Sequence, residues 1–212
     1  MWWDPLQLLY WKWYEWWNWD IVPPERGVIA LPSTYSLVTF SPPSKWTQYC
    51  TMWNPATLVH TNSRQGRLFL GSSLNAMYPT RSYSLVINAT LEVPPFHAPP
   101  AQFWRIPIRD VHQASLFLNE GHGLFIVLAL HQALLRGEQV LIHCFAGASR
   151  SVSIVLAYLM WLQRSRSMVS IYEELRRRRQ IVHVNTAFLQ DIQYMLPLWD
   201  QHTHQVGTCL TA

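Results

Sequence analysis

The sequence predicts an α/β domain, and three observations carry that prediction. Val140, Leu141 and Ile142 form an unbroken apolar run, the pattern of a strand buried on both faces in a parallel sheet. Beyond a turn rich in glycine, alanine and serine, residues 152–162 are almost wholly apolar and longer than a strand, which fits a buried helix. Upstream, residues 68–71 (LFLG) and 85–88 (LVIN) are short aliphatic runs of strand length. A chain of 212 residues holds one domain of ordinary size plus an extension, not two catalytic domains. Half of the residues are hydrophobic and 13% are charged, so a large core is available and disorder is not the expectation.

Taken in order, residues 1–20 hold seven of the twelve tryptophans. Asp4, Lys12, Glu15 and Asp20 interrupt any membrane span, and the basic start and aliphatic core of a secretory signal are missing. Trp and Tyr favour the boundary between water and lipid. A cluster of basic residues for anionic lipid is missing, Lys12 being alone there, so packing on the domain or on a partner is favoured over membrane contact. Residues 21–64 carry Pro23, Pro24, Pro32, Pro42, Pro43 and Pro55 with little periodicity, and read as linker or irregular cover. The expected organisation is an extension over 1–66, the α/β domain over 67–198 and a tail over 199–212.

Within the domain, residues 72–77 can hold a helical turn between the first two strands, and residues 94–100 are a turn-rich loop. Residues 103–108 (FWRIPI) read as the next strand, ending at Asp110. Residues 121–136 are a helix apolar around most of its circumference, with Gly137 just past its end. Residues 169–179 place Ile171 and Leu175 on one face ahead of four arginines. Asn185 is the expected N-cap of a helix over 186–196, whose Phe188, Leu189, Ile192, Met195 and Leu196 form one apolar stripe and which Pro197 stops. Arg176–Arg179 are expected as a solvated helix end, with docking of acidic or phosphorylated substrates as the lesser reading. His112, His122 and His131 lack tight spacing with a carboxylate, and Cys50, Cys144 and Cys209 lie far apart with no CxxC, so neither a metal site nor a disulfide framework is expected. The net charge of +4 rests on local arginines, which is no nucleic-acid-binding field.

The chemistry is concentrated in residues 140–151, VLIHCFAGASRS. Between Cys144 and Arg150, Phe145 is followed by the small residues Ala146, Gly147, Ala148 and Ser149, so the backbone can curl into a concave loop with its N–H groups inward. The N-terminus of the following helix adds positive partial charge to the same concavity, making an anion cradle. A cysteine at its base has its thiolate favoured and would be a nucleophile. Arg150 offers a planar fork matched to two phosphoryl oxygens. Ser151 can hydrogen-bond the sulfur when it leaves, and His143 reads as orienting the loop.

HCFAGASRS resembles the signature HCxxGxxRS of cysteine-dependent phosphatases and also fits the stricter HCxAGxSRS of dual-specificity protein phosphatases, with every fixed position present. The resemblance extends over residues 67–198 and implies a three-layer fold, a mostly parallel central sheet with helices on both faces. It implies that Asp110, in the IPxxD-like segment Ile106-Pro107-Ile108-Arg109-Asp110, protonates the leaving oxygen; on its own Asp110 reads equally as a helix cap. Arg109 stands where an acidic residue is common. Ala157-Tyr158-Leu159-Met160, the arginines before Ile181, and the Asn185/Phe188 spacing resemble the family's C-terminal helices, although Val184 replaces the usual proline.

The resemblance implies phosphate-monoester hydrolysis through a phosphocysteine, without cofactor or metal. Phosphorylated proteins are the expected partners, with phosphotyrosine and phosphoserine/threonine both accepted by a shallow site. Neutral Phe145 and Ala148 disfavour phosphoinositides. An RNA 5′-phosphatase and a phosphoprotein-binding scaffold stand as alternatives. A reactive thiol fits a reducing compartment, the cytoplasm with the nucleus as a second setting.

Overall fold

The computed structural model describes residues 53–94, 102–111, 115–116 and 120–209. The Trp-rich stretch, most of the proline-rich loop after residue 94, Cys50 and His112 lie outside them. Among the described residues five strands form one sheet: β1 (Thr57–Thr61), β2 (Arg67–Gly71), β3 (Leu85–Asn88), β4 (Gln102–Arg105) and β5 (Gln139–His143), in the order β1-β2-β5-β3-β4. β5 lies between β2 and β3 and is parallel to both, with Phe69 opposite Leu141 and Ile87 opposite Ile142; β4 is parallel to β3. β1 runs antiparallel, along β2.

Side chains alternate across the sheet, so the unbroken apolar runs feed two cores. Leu68, Leu70, Leu85, Ile87, Val140 and Ile142 enter the larger core, on the face covered by four helices. These are α2 (Glu120–Leu135), α3 (Arg150–Leu162), α4 (Met168–Arg178) and α5 (Thr186–Cys209). Phe69, Val86 and Leu141 point the other way and meet Ala56, Tyr83 and Ala76. Ala76 belongs to the short α1 (Ser73–Met77). The layers are therefore unequal, a thick helical one and a thin one. α3 is the centre of the thick layer, buried continuously from Arg150 to Leu159. Each aliphatic side chain so buried contributes roughly 1.5–3 kcal/mol of transfer free energy, which holds the start of α3 firmly against β5.

Three sequence expectations are corrected. Thr57–Thr61, inside the stretch read as linker, is an edge strand with only Val59 buried; one inward residue gives too little periodicity to stand out among prolines. The strand expected over 103–108 ends at Arg105, because Pro107 has no N–H to give a ladder and Ile108 N–H turns back to Ile106 O at 2.8 Å. Pro197 does not stop the last helix, which continues to Cys209. Its ring sits on the exposed side, while Trp199, 1% exposed, anchors the next turn in the core and Asp200 pairs with Arg164 at 2.7 Å. Packing outweighs the lost helical hydrogen bond.

Candidate active site

β5 delivers Cys144 and α3 begins at Arg150, so the six-residue loop between strand and helix is closed at both ends by core elements. The loop's shape is set from behind. The carbonyl of Phe145 accepts hydrogen bonds from Ser73 N–H and Ser73 Oγ, both at 3.0 Å. Ala146 O accepts from Arg179 Nη2 at 3.0 Å, Gly147 O from Arg179 Nε at 2.9 Å, and Ala148 O from His183 N–H at 2.9 Å. In a trans peptide the carbonyl and the next N–H point in opposite directions. Four carbonyls tied outward therefore turn the N–H groups of Ala146, Gly147, Ala148 and Ser149 into the concavity. Gly147 is the tightest point. Its φ is +75°, and a Cβ there would lie 2.5 Å from Gly71 O and 2.8 Å from Arg179 Nη2, so only glycine fits.

Cys144 Sγ lies at the base of this cradle. It accepts hydrogen bonds from Gly147 N–H and Ser151 Oγ, each at 3.2 Å. His143 is fully buried. Its Nδ1 lies 3.3 Å from Cys144 O, and its Nε2 has no partner among the described residues. Burial pushes its pKa down to about 4, so the ring is neutral at physiological pH.

Arg150 is 7% exposed and anchored by Nη1, which donates to Glu92 Oε1 at 2.6 Å and to Ile108 O at 3.3 Å. Burial works against its charge, but Cys144, Glu92 and Asp110 around it outweigh that and hold it above the ordinary guanidinium value. Glu92 is placed by the turn after β3. Asn88 Oδ1 accepts from Thr90 N–H at 3.0 Å and Thr90 Oγ1 at 2.7 Å, while Asn88 Nδ2 donates to Val93 O at 2.9 Å. Arg105 also donates to Thr90 O and Leu91 O, tying the same turn to β4.

Asp110 sits at the rim, with its carboxylate turned toward the cradle. Oδ1 accepts from Ser149 Oγ at 3.0 Å and from Asn185 Nδ2 at 3.4 Å; Oδ2 is 3.7 Å from Arg150 Nε. Asn185 does two jobs, since its Oδ1 caps α5 by accepting Ala187 N–H at 3.0 Å while its Nδ2 reaches Asp110 and the carbonyl of Val111. Ser149 Oγ in turn accepts Asn185 N–H at 3.2 Å.

All the residues singled out from sequence, His143 to Ser151 with Asp110 and Asn185, meet at this one place. Two were not foreseen. Glu92 carried no signal beyond being a carboxylate just after a predicted strand. Arg179 was expected on a solvated helix end, and the structure corrects this: it is 2% exposed, and burial pushes its pKa down to about 10, still charged at neutral pH. Its signal was position, as the last of four arginines where α4 runs out against the loop. His131, passed over as a ligand, lies with Nδ1 3.2 Å from Tyr158 OH and edge-on to Trp161, away from the cradle.

A nucleophilic sulfur, a ring of inward N–H groups, a buried guanidinium and a rim carboxylate form a constellation for phosphoryl transfer. Comparison with known proteins agrees. Residues 68–195 match the family model described as the dual specificity phosphatase catalytic domain. Human dual specificity protein phosphatase 14 is 28% identical over 144 residues, covering 64% of this chain and 69% of that protein. Human dual specificity protein phosphatase 21 is 29% identical over 143 residues, covering 64% and 72%. The crystal structure of human DUSP28 superposes with a TM-score of 0.56 at 24% identity, covering 64% of this chain and 94% of that one; it shares the fold. The chain belongs to the dual-specificity phosphatase family of the cysteine-dependent protein tyrosine phosphatases.

Proposed function

We propose that the chain hydrolyses phosphate monoesters on phosphotyrosine and phosphoserine/threonine proteins through a phosphocysteine formed on Cys144. The observation that carries this reading is the sulfur held by Gly147 N–H and Ser151 Oγ, each at 3.2 Å, at the base of a loop whose carbonyls are tied outward. The three non-bridging phosphoryl oxygens take the loop N–H groups and the guanidinium of Arg150. Sγ attacks phosphorus in line with the ester oxygen. As the P–O bond breaks, Asp110 gives its proton to the departing oxygen, so an alcohol leaves and not an alkoxide. Water then attacks phosphorus, Asp110 takes its proton, and the P–S bond breaks with the electron pair returning to sulfur. Ser151 Oγ stabilises the thiolate at that moment. Arg150 stays fixed throughout because Glu92 and Ile108 O hold its Nη1, which avoids reorganisation as charge develops.

Phosphoproteins are favoured over phosphoinositides because Phe145 and Ala148 bring no cation into the loop. A purely binding role is disfavoured because nucleophile, guanidinium and acid are all present around one cradle, each held in place by its own hydrogen bonds. The test is turnover of phosphotyrosine and phosphothreonine peptides, a phosphoinositide and an RNA 5′-phosphate side by side, with Cys144→Ser as control. Both peptides are expected to be hydrolysed and the serine variant to bind but not turn over. Undiminished turnover by Cys144→Ser would overturn the mechanism; preference for the lipid or the RNA would overturn the substrate class.

A further inference from the structure

The chain around Asp110 is tied to α5 at two points, by Asn185, which the sequence singled out, and by Asp191, which it did not. On the near side Asn185 Nδ2 donates to Val111 O at 2.9 Å and to Asp110 Oδ1 at 3.4 Å. On the far side Asp191, in the second turn of α5, accepts Leu116 N–H at 2.6 Å and Ser115 Oγ at 3.0 Å on the same oxygen, Oδ2. A carboxylate accepting a backbone N–H makes a charge-assisted bond, roughly twice as strong as a neutral one. The Leu116 side chain is 2% exposed in the main core, so this limb is held by burial and by charge together. Asp191 lies on the helix that Asn185 caps, and Phe188 and Ile192, both fully buried, fix that helix to the core. Val111 and Ser115, four positions apart in the chain, are therefore each tied to the same buried helix, and the second tie limits how far the chain just beyond Asp110 can move.

Resting on the phosphatase reading above, we propose that Asp191 is a positioning residue for leaving-group protonation: by anchoring the far limb of the acid segment to α5 it keeps Asp110 over the phosphoryl site. Asp191 touches no reacting atom. The proton still moves only between Asp110 and the ester oxygen or water. The role follows from the fact that proton transfer demands hydrogen-bond reach, and an ångström of misplacement is costly.

The experiment measures kcat and KM of the full chain, Asp191→Ala, Asp191→Asn, Asp110→Asn and the Asp110→Asn/Asp191→Ala double variant on two substrates. One is a phosphothreonine peptide, whose alkoxide needs the proton; the other is p-nitrophenyl phosphate, whose leaving group does not. Asp191→Ala is expected to lower kcat on the peptide on the order of ten- to a hundred-fold while the aryl ester changes by about twofold or less. Its pH–rate profile on the peptide should approach that of Asp110→Asn. Asp191→Asn, whose amide oxygen still accepts Leu116 N–H, should fall between. In the Asp110→Asn background Asp191→Ala should cost nothing further, because the group it positions is already gone. Equal losses on both esters, no loss on either, or full additivity in the double variant would overturn the proposal. If Asp191→Ala fails to fold, Asp191→Asn alone and combined with Asp110→Asn carries the same comparison. Failure of the phosphatase reading would look different, since the unmodified chain would then turn over neither ester.

Discussion

At the scale of single residues, the site divides into side chains that chemistry placed close together in sequence and side chains that only folding brings in. Cys144, Gly147, Ser149, Arg150 and Ser151 were legible because one strand-loop-helix turn positions all of them. Arg179 and Glu92 were not, because their partners, Gly147 O and Arg150 Nη1, are distant in sequence and no local pattern records the pairing. Arg179 supplies two donors in a fixed fork to two adjacent carbonyls, which lysine cannot reproduce. Arg179→Lys should therefore loosen the loop, weakening inhibition by vanadate on the order of ten-fold, the scale of one lost charge-assisted hydrogen bond; unchanged inhibition would show that Ser73 and His183 suffice. Glu92→Gln keeps shape but removes charge beside Arg150. We expect kcat/KM to fall by about ten-fold on both aryl and alkyl esters with little change in melting temperature, in contrast to the ester-selective loss expected at Asp191.

At the scale of elements, the β1–β2 hairpin shows how much of the fold rests on one contact. Asn62 organises its turn, accepting Arg64 N–H at 3.0 Å and Gly66 N–H at 2.8 Å while donating to Leu134 O at 2.7 Å, at the end of α2. A Cβ on Gly66 would lie 2.0 Å from that same carbonyl. Gly66→Ala should push the hairpin off α2 and cost about 1–3 kcal/mol, the usual range for overpacking against backbone, readable as a lower urea midpoint; an unchanged midpoint would mean the hairpin moves freely. This hairpin was half legible. β2 announced itself by its apolar run, whereas β1, buried at Val59 alone, needs the sheet to exist before its residues mean anything. α5 makes the opposite point. Pro197 is a strong local stop signal, and Trp199 overrides it from the core side.

Across the whole molecule, histidines whose charge burial opposes contribute to the response to acid. His143 has an unfolded pKa near 6.5 and a native one of about 4, lowered by burial. Between those values the unfolded chain binds a proton that the native chain refuses, so stability is fully present above about pH 6.5, falls as pH drops, and has lost its full share by about pH 4. For His143 that share is on the order of 3 kcal/mol. His60, His131 and His183 are also lowered, chiefly by burial, and add in the same direction. Urea midpoints measured from pH 7 to pH 4 should decline steadily, and less steeply in His143→Gln. An equal slope in that variant would place the sensitivity elsewhere. The α/β class, the parallel centre and the position of the cradle were all readable from runs of apolar residues and one motif. The unequal layers were not, since they depend on which helices share a face.

The strand order has a consequence for how the enzyme is born. A chain made from its N-terminus has completed β1, β2, β3 and β4 before β5 exists, yet β5 is the strand that joins the β1–β2 pair to the β3–β4 pair. The two halves must wait with open edges, and closing them requires contacts between segments as far apart as Ser73 and Phe145, 72 positions along the chain, which makes the step slow. The residue that follows β5 is the nucleophile itself. Completing the sheet is thus the step that places the nucleophile, and the pocket is finished only when the later segments that bring Arg150, Arg179 and Asn185 dock behind it.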